Sequence, residues 1–297
     1  GYYDFLALIS TYNTKYQGYV KGNGDNAWAG SIARGLENRS LKWETTDTKN
    51  IGLDFGFFNN KLTGAMNYYY NQTEELLITK ALPPSAGLNN PILNVGKIRN
   101  SGVEVEINWA DSKGGFDYNI GMNFSTTKNK VVELADKGQV LYGEGLKYGT
   151  EHFPTQTRVG KPIGAFYLYK TNGLFQSNEE ARQYVNADGD EYQPFADAGD
   201  IRYVDVNGDG YIDDDDKVYC GSGIPTLEVN LNFSAGYKGF DLSVVLGSAW
   251  GHKIYNGNKY FYEGMNSGSN FLTSSLNAWT PQNTNTNIPR AIFNDPN

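Results

Sequence analysis

Gly102-Val-Glu-Val-Glu-Ile-Asn-Trp109 alternates without a break. Val103, Val105, Ile107 and Trp109 fall on one side of an extended chain, and Glu104, Glu106 and Asn108 fall on the other. Successive side chains of a strand point to opposite faces, so this stretch reads as a strand with one apolar and one polar face. The same period recurs on both sides of it. In residues 50–57, Ile51, Leu53, Phe55 and Phe57 oppose Asn50, Gly52, Asp54 and Gly56. In 116–124, Phe116, Tyr118, Ile120, Met122 and Phe124 oppose Asp117, Asn119, Gly121 and Asn123. Leu227, Val229, Leu231 and Phe233 oppose Glu228, Asn230, Asn232 and Ser234, and Phe240, Leu242, Val244 and Leu246 oppose Asp241, Ser243 and Gly247.

Short polar links join these strands in pairs: Asn59-Asn60-Lys61, residues 111–115, and Lys238-Gly239. Each carries the Asn, Asp or Gly that a tight hairpin needs. The segments between pairs are long, at 72–99, 128–157 and 171–224. Short turns at one end and long loops at the other are the asymmetry of outer-membrane barrels. Aromatic residues cluster beside the short turns: Phe57 and Phe58, Trp109 and Phe116, Tyr237 and Phe240. A girdle at a membrane interface has this placement. A soluble β-sandwich also alternates, but it predicts short connections at both ends.

Composition agrees. The chain has 297 residues with 35 glycines, 22 tyrosines and 14% aromatics, a balance that favours strands over helices. No apolar run approaches the ~20 residues that a membrane helix needs, which leaves a soluble protein or a barrel. A net charge of −8 argues against a nucleic-acid partner. Cys220 is single, so no internal disulfide or cysteine metal cluster is expected. His152 and His252 read as ordinary polar side chains. Asp54, Glu104, Glu106, Asp117, Glu228 and Asp241 are expected on the polar strand faces, lining a wet lumen. They sit on separate strands without a histidine partner, and an enzyme is not expected.

One loop carries a sharper motif, Asp205-Val-Asn-Gly-Asp-Gly-Tyr-Ile-Asp-Asp-Asp-Asp216, within residues 199–224. Asp205, Asn207, Asp209, Asp213 and Asp216 stand at positions one, three, five, nine and twelve of a calcium-type loop. Gly210 stands at the sharp turn, and Tyr211 offers its backbone carbonyl. Calcium is the expected cation because it takes many hard oxygen donors at flexible distances. No helical pattern flanks the loop on both sides, so the site would stiffen a surface loop rather than form an EF-hand. The plainer reading is a solvated acidic loop.

Several motifs, taken in order, resemble one family. They are Ser40-Leu-Lys-Trp-Glu-Thr-Thr-Asp47 with its continuation to Gly64, and Val95-Gly-Lys-Ile-Arg-Asn-Ser-Gly-Val-Glu-Val-Glu106. Val159-Gly-Lys-Pro-Ile-Gly-Ala-Phe-Tyr167, Gly173-Leu-Phe-Gln176, residues 199–213 and Tyr237-Lys-Gly-Phe-Asp-Leu242 follow. Together they look like the SusC/RagA type of TonB-dependent transporters, over residues 40–255. The resemblance implies an all-β, antiparallel transmembrane barrel of 22 strands with a plugged lumen and long extracellular loops, in the bacterial outer membrane. It implies energy delivered through TonB and a SusD-like surface lipoprotein as cap. Against that pattern residues 1–297 read as about eight to ten strands of the later barrel half, all within one barrel domain, with the plug and the closing strands outside the sequence given.

The function expected is import of an oligomeric nutrient, a glycan before an oligopeptide. Loop aromatics that would stack on sugar rings are Trp28, Tyr142, Tyr148, Trp250, Tyr260, Phe261, Tyr262 and Trp279, although packing within a loop or a place in the girdle is the plainer reading of each. The competing function is a secreted, calcium-stabilised β-domain that binds glycans. Detergent dependence separates the two.

Overall fold

The computed structural model describes residues 9–12, 19–20, 27–28, 30–33, 36–80, 82, 84–148, 150–263 and 270–292, with side chains from Leu36 onward outside a few positions. The chain divides into two compact units. One holds residues 1–139, 158–161 and 226–250, and the other holds 140–157, 162–225 and 251–297.

The first unit is built on one antiparallel sheet. Its strands in chain order are β1 (Thr45–Phe57), β2 (Leu62–Glu74), β3 (Lys97–Lys113), β4 (Phe116–Thr126), β5 (Lys128–Glu133), β6 (Leu227–Tyr237) and β7 (Phe240–Trp250). The order across the sheet is β7-β6-β4-β3-β2-β1, and β5 pairs with the first half of β3 beyond β4. Among the described residues this sheet holds seven strands, against the expected eight to ten, and it is not closed on itself. Every expected period-two segment is a strand, and most run further than the alternation shows. The link expected at 111–115 shrinks to Gly114-Gly115, because β3 runs to Lys113.

The hairpins turn as their sequences require. Gly114 and Gly115 have φ of 62° and 76°, and Lys238 and Gly239 have 48° and 84°. Two positive φ values suit the right-handed twist of the flanking strands. Phe58, Asn59 and Asn60 make the third turn, closed by the Lys61 amide donating to the Phe58 carbonyl at 3.2 Å.

The register converts the alternation into faces. Leu53 opposes Met66, which opposes Val105, then Phe124, then Val229. The next row is Phe55, Gly64, Ile107, Met122, Leu231 and Leu246, and the one after is Phe57, Leu62, Trp109, Ile120, Phe233 and Val244. These rows form one apolar face that nothing in the described chain covers. Ile51 is 77% exposed, Leu53 65% and Leu246 57%. A soluble sandwich would bury such a face, whereas a barrel turns it to lipid. From Leu227 to Tyr237, strand β6 is long enough to cross an apolar band ~25 Å tall at the tilt of such barrels. All six expected lumen carboxylates lie on the opposite face, in rows such as Asp54–Ala65–Glu106–Asn123–Asn230. Beside the turns that face borders a recess of about 780 Å³ lined by Ser112, Asp117, Asn119, Ser234, Asp241 and Ser243 among others.

Residues 128–157 were expected to be a connection, yet β5 carries β4 onward in the same register after one break at Thr127. There the Thr126 side chain replaces ladder bonds, accepting from the Val103 amide at 2.8 Å, and the Thr127 amide donates to the Thr226 carbonyl at 3.2 Å. Gly102 faces this break. A Cβ at Gly102 would collide with the Thr126 carbonyl and the Tyr69 ring. The Tyr69 hydroxyl reaches over it to donate to the Thr126 carbonyl at 3.2 Å. Only glycine admits so close an approach.

The second unit contains a four-stranded sheet of Leu141–Tyr142, Thr155–Thr157, Ala165–Tyr169 and Lys217–Gly221. Its small core is Phe175, Ala181 and Ala196, with Tyr184 against them. Ion pairs surround this core: Arg202 to Glu180 at 2.5 Å, Arg182 to Glu191 at 3.0 Å, and Arg290 to the buried Asp200 at 2.6 Å.

Candidate functional site

The acidic loop lies in the second unit, between the strands Ile201–Tyr203 and Lys217–Gly221. Its short polar side chains fold back on the loop's own amides, as Asp and Asn do in turns. One Asp205 oxygen accepts from the Gly208 amide at 2.6 Å and the other from the Gly210 amide at 2.9 Å. Asn207 Oδ1 accepts from the Asp209 amide at 2.9 Å, and Asp209 Oδ1 accepts from the Tyr211 amide at 3.0 Å. Gly208 and Gly210 have φ of 77° and 92°, the turns that this winding needs.

Asp216 closes the ring. It is fully buried, and one oxygen accepts from the amides of Val206 at 2.7 Å and Asn207 at 3.3 Å. Its other oxygen accepts from the Asp213 amide at 2.8 Å. Asp213 in turn caps the short 3-10 turn Asp214–Asp216. The twelfth position is thus tied to the second and third.

Two anchors fix the loop. On one side the Asn186 side-chain amide donates to the Gly210 carbonyl at 3.1 Å. On the other, Asp214 accepts from the hydroxyls of Tyr142 at 3.1 Å and Tyr169 at 3.2 Å, and pairs with Lys217 at 2.6 Å. The Lys217 ammonium is nearly buried and stands 5.0 Å from the centre of the Tyr169 ring.

Charge follows from this geometry. Burial pushes the Asp205 carboxyl up, but the amides of Gly210 and Gly208 and the Tyr192 hydroxyl outweigh it, leaving Asp205 below the ordinary aspartate value. Burial likewise raises Asp214, and Lys217, Tyr142 and Tyr169 bring it below that value. Burial and the neighbouring Asp214 push Tyr169 well up. Burial lowers His152, helped by Lys217.

A pH dependence follows. Both carboxyls have folded-state values depressed below 3.8, so their contribution is fully present above about pH 4 and is lost as pH falls through the folded values. Pepsin is expected to begin cutting within residues 205–217 only below about pH 3.8. An unchanged cutting pattern from pH 4 down to about pH 2 would contradict this.

The expected calcium ligands are therefore held on one loop, with their oxygens engaged by amides. Among the described residues no three His, Cys, Asp or Glu side chains stand gathered as a ready-made metal cage. The donors suit a hard cation in type and sequence spacing, and the Asp209 oxygens, with one bond each, keep a second lone pair. Asp205 and Asp216 both have their two oxygens engaged, and one Asp216 oxygen already accepts from two amides.

The loop aromatics separate. Trp250 ends β7 in the apolar row of Leu227, which makes it a girdle residue. Trp279 is buried against Gly199, whose φ of 91° and missing Cβ make room for the ring. Tyr260 stacks on His152 at 5.8 Å and meets Phe261 edge-on at 5.1 Å. Tyr142 and Tyr262 remain exposed, Tyr142 with Phe153 at 5.4 Å beside it. The side chains of Trp28 and Tyr148 lie outside the described residues.

A sheet with one apolar and one polar face, short turns at one end and long insertions at the other is the wall of a membrane barrel. The family described as "TonB dependent receptor-like, beta-barrel" matches residues 4–247. The chain belongs to that family. Its members with this barrel are outer-membrane proteins, and so is this TonB-dependent receptor segment. It is 31% identical over 286 residues to TonB-dependent receptor P3 of Formosa agariphila, covering 95% of this chain and 28% of that protein. It is 27% identical to the TonB-dependent receptor SusC of Bacteroides thetaiotaomicron, covering 92% of this chain and 25% of SusC. The structure of the RagAB peptide transporter shares the fold, with a TM-score of 0.73 at 22% identity over 98% of this chain and 30% of that one. The segment thus spans less than a third of the length of these relatives.

Proposed function

We propose that the chain forms barrel wall and extracellular loops of a TonB-dependent importer of oligomeric nutrients, with glycans favoured over oligopeptides. The observation that carries this is the uncovered apolar face set back to back with a carboxylate- and amide-lined polar face, in a member of this receptor family. In this reading TonB supplies energy through a part of the protein outside this segment, and a SusD-like lipoprotein caps the loops. The preference for glycans rests on Tyr142, whose exposed ring is held by its hydroxyl bond to Asp214, a fixed platform for a sugar face. Uptake of labelled oligosaccharide and oligopeptide by cells carrying or lacking the gene tests the reading. Oligopeptide uptake lost on deletion, with oligosaccharide uptake intact, would reverse the preference.

In the same reading Asp205, Asn207, Asp209, the Tyr211 carbonyl, Asp213 and Asp216 hold a structural calcium ion that stiffens the loop. Calorimetric titration of the protein with calcium is expected to show one site, weakened by Asp209→Ala. No heat of binding at millimolar calcium would sink the assignment. The acidic loop fits a secreted glycan-binding module equally well, but such a domain would have to leave the apolar rows of β1 to β4, β6 and β7 in water.

A further inference from the structure

Above the apolar rows, toward the loop end of the sheet, the same face changes character within one step. The row Ile51–Tyr68–Val103 is followed by Lys49–Tyr70–Ser101–Lys128, and then by Asp47–Gln72–Arg99–Lys130. A residue on this face at this height meets lipid headgroups rather than tails, if the apolar rows span the membrane.

The cations here are unevenly paired. Lys49 has Asp47 at 3.4 Å, and Lys97 has Glu74 at 2.9 Å. Glu133 stands opposite Lys97. Among the described residues Arg99, Lys128 and Lys130 have no carboxylate within ion-pair distance. Arg99 and Lys130 are directly opposed across β3 and β5, and Lys128 is two residues from Lys130 on the same face. Directly opposed side chains have Cβ atoms ~5 Å apart, and like charges there repel. The Arg99 guanidinium lies 5.1 Å from the centre of the Tyr70 ring and donates from Nη2 to Gln72 Oε1 at 3.2 Å. Its Nε is buried, with no acceptor among the described residues. Packing thus holds a guanidinium beside two exposed ammonium groups, with a donor unused.

We propose that Arg99, Lys128 and Lys130 form a binding site for the phosphate of an anionic lipid headgroup on the outer surface of the barrel. The proposal rests on the membrane-spanning reading of the sheet. A phosphate accepts from the planar guanidinium fork and from both lysines at once, and it turns a repulsive triad into a bridged one. Tyr68 and Tyr70 sit at the boundary beneath it, and the acyl chains of the same lipid would run down the Leu53–Met66–Val105 row.

Native mass spectrometry of the full-length protein in an uncharged detergent tests the site. The probes are diphosphoryl lipid A, phosphatidylcholine and inorganic phosphate. Lipid A is expected to be retained over phosphatidylcholine and to survive an equal concentration of inorganic phosphate. Lys128→Gln and Lys130→Gln, both at exposed positions, are expected to weaken retention about fivefold each, and Lys128→Arg with Lys130→Arg to preserve it. Equal retention of the two lipids, an adduct indifferent to the Gln variants, or displacement by inorganic phosphate overturns the lipid site. Each of these leaves the barrel reading standing if the wild-type protein is found in the outer-membrane fraction. Its absence from that fraction overturns both.

Discussion

Gly102→Ala is expected to cost the barrel wall about 3 kcal/mol, a large loss for a change of one methyl group. The added Cβ would meet the Thr126 carbonyl and the Tyr69 ring together. Forcing extra volume into a packed place costs ~1–3 kcal/mol, and the Tyr69 hydroxyl bond lost with it adds ~1 kcal/mol. Backbone is the harder of the two obstacles. Tyr69→Ala removes the ring but leaves the Thr126 carbonyl, so the double variant is expected to recover only part of the loss. Tyr69→Phe keeps the ring over Gly102 and gives up only the hydroxyl bond, for ~1 kcal/mol. Urea unfolding of the protein in detergent, read by the shift between folded and unfolded bands on a gel, measures all of these. A Gly102→Ala midpoint within ~0.5 kcal/mol of wild type would show that the strands simply part to admit the methyl.

Asp216→Ala is expected to open the acidic loop without unfolding the rest of its unit. The change strands the amides of Val206, Asn207 and Asp213, and removes the link between the two ends of the loop. Hydrogen bonds to a charged acceptor contribute ~1.5–3 kcal/mol each, so the two shorter bonds, from Val206 and Asp213, alone give a local loss on the order of 4 kcal/mol. Hydrogen exchange is the direct measurement, with the Val206 and Asp213 amides losing protection while those of β2 and β3 keep theirs. Asp216→Asn preserves shape but not charge and should fall between. Unchanged protection at Val206 would mean that the Asp205 end alone holds the turn. If the loop takes calcium, the same variant weakens that binding too, and calcium would no longer restore protection.

The barrel wall was legible in the sequence because its physics is periodic. Residues such as Val103, Val105 and Ile107 report their face one by one, and Gly114-Gly115 and Lys238-Gly239 report where the strands turn. Strand β5 was not legible. It lies past the apolar band, where its outward residues are Lys128, Lys130 and Glu133 and its inward Val131 is fully buried. Polarity there runs opposite to that of β4, and an apolar-out rule misses it. The acidic loop was legible as a spacing, but its anchors were not, because Tyr142, Asn186 and Tyr169 come from distant parts of the chain. The aromatic residues looked alike in sequence and were separated only by their settings. The basic triad was hidden for a related reason: Arg99 and Lys130 meet through register, and a scan along the chain never sets them side by side.

The one-step change from Ile51–Tyr68–Val103 to Lys49–Tyr70–Ser101–Lys128 also works as a depth gauge. A thicker bilayer would draw Lys49 and Lys128 into hydrocarbon, and a thinner one would leave Ile51 and Leu53 in water, so the protein settles at one height. Departure from that height costs a fraction of a kcal/mol per Å of mismatch. Lipid composition therefore acts on the height at which the wall sits, through a boundary written in two adjacent rows of side chains.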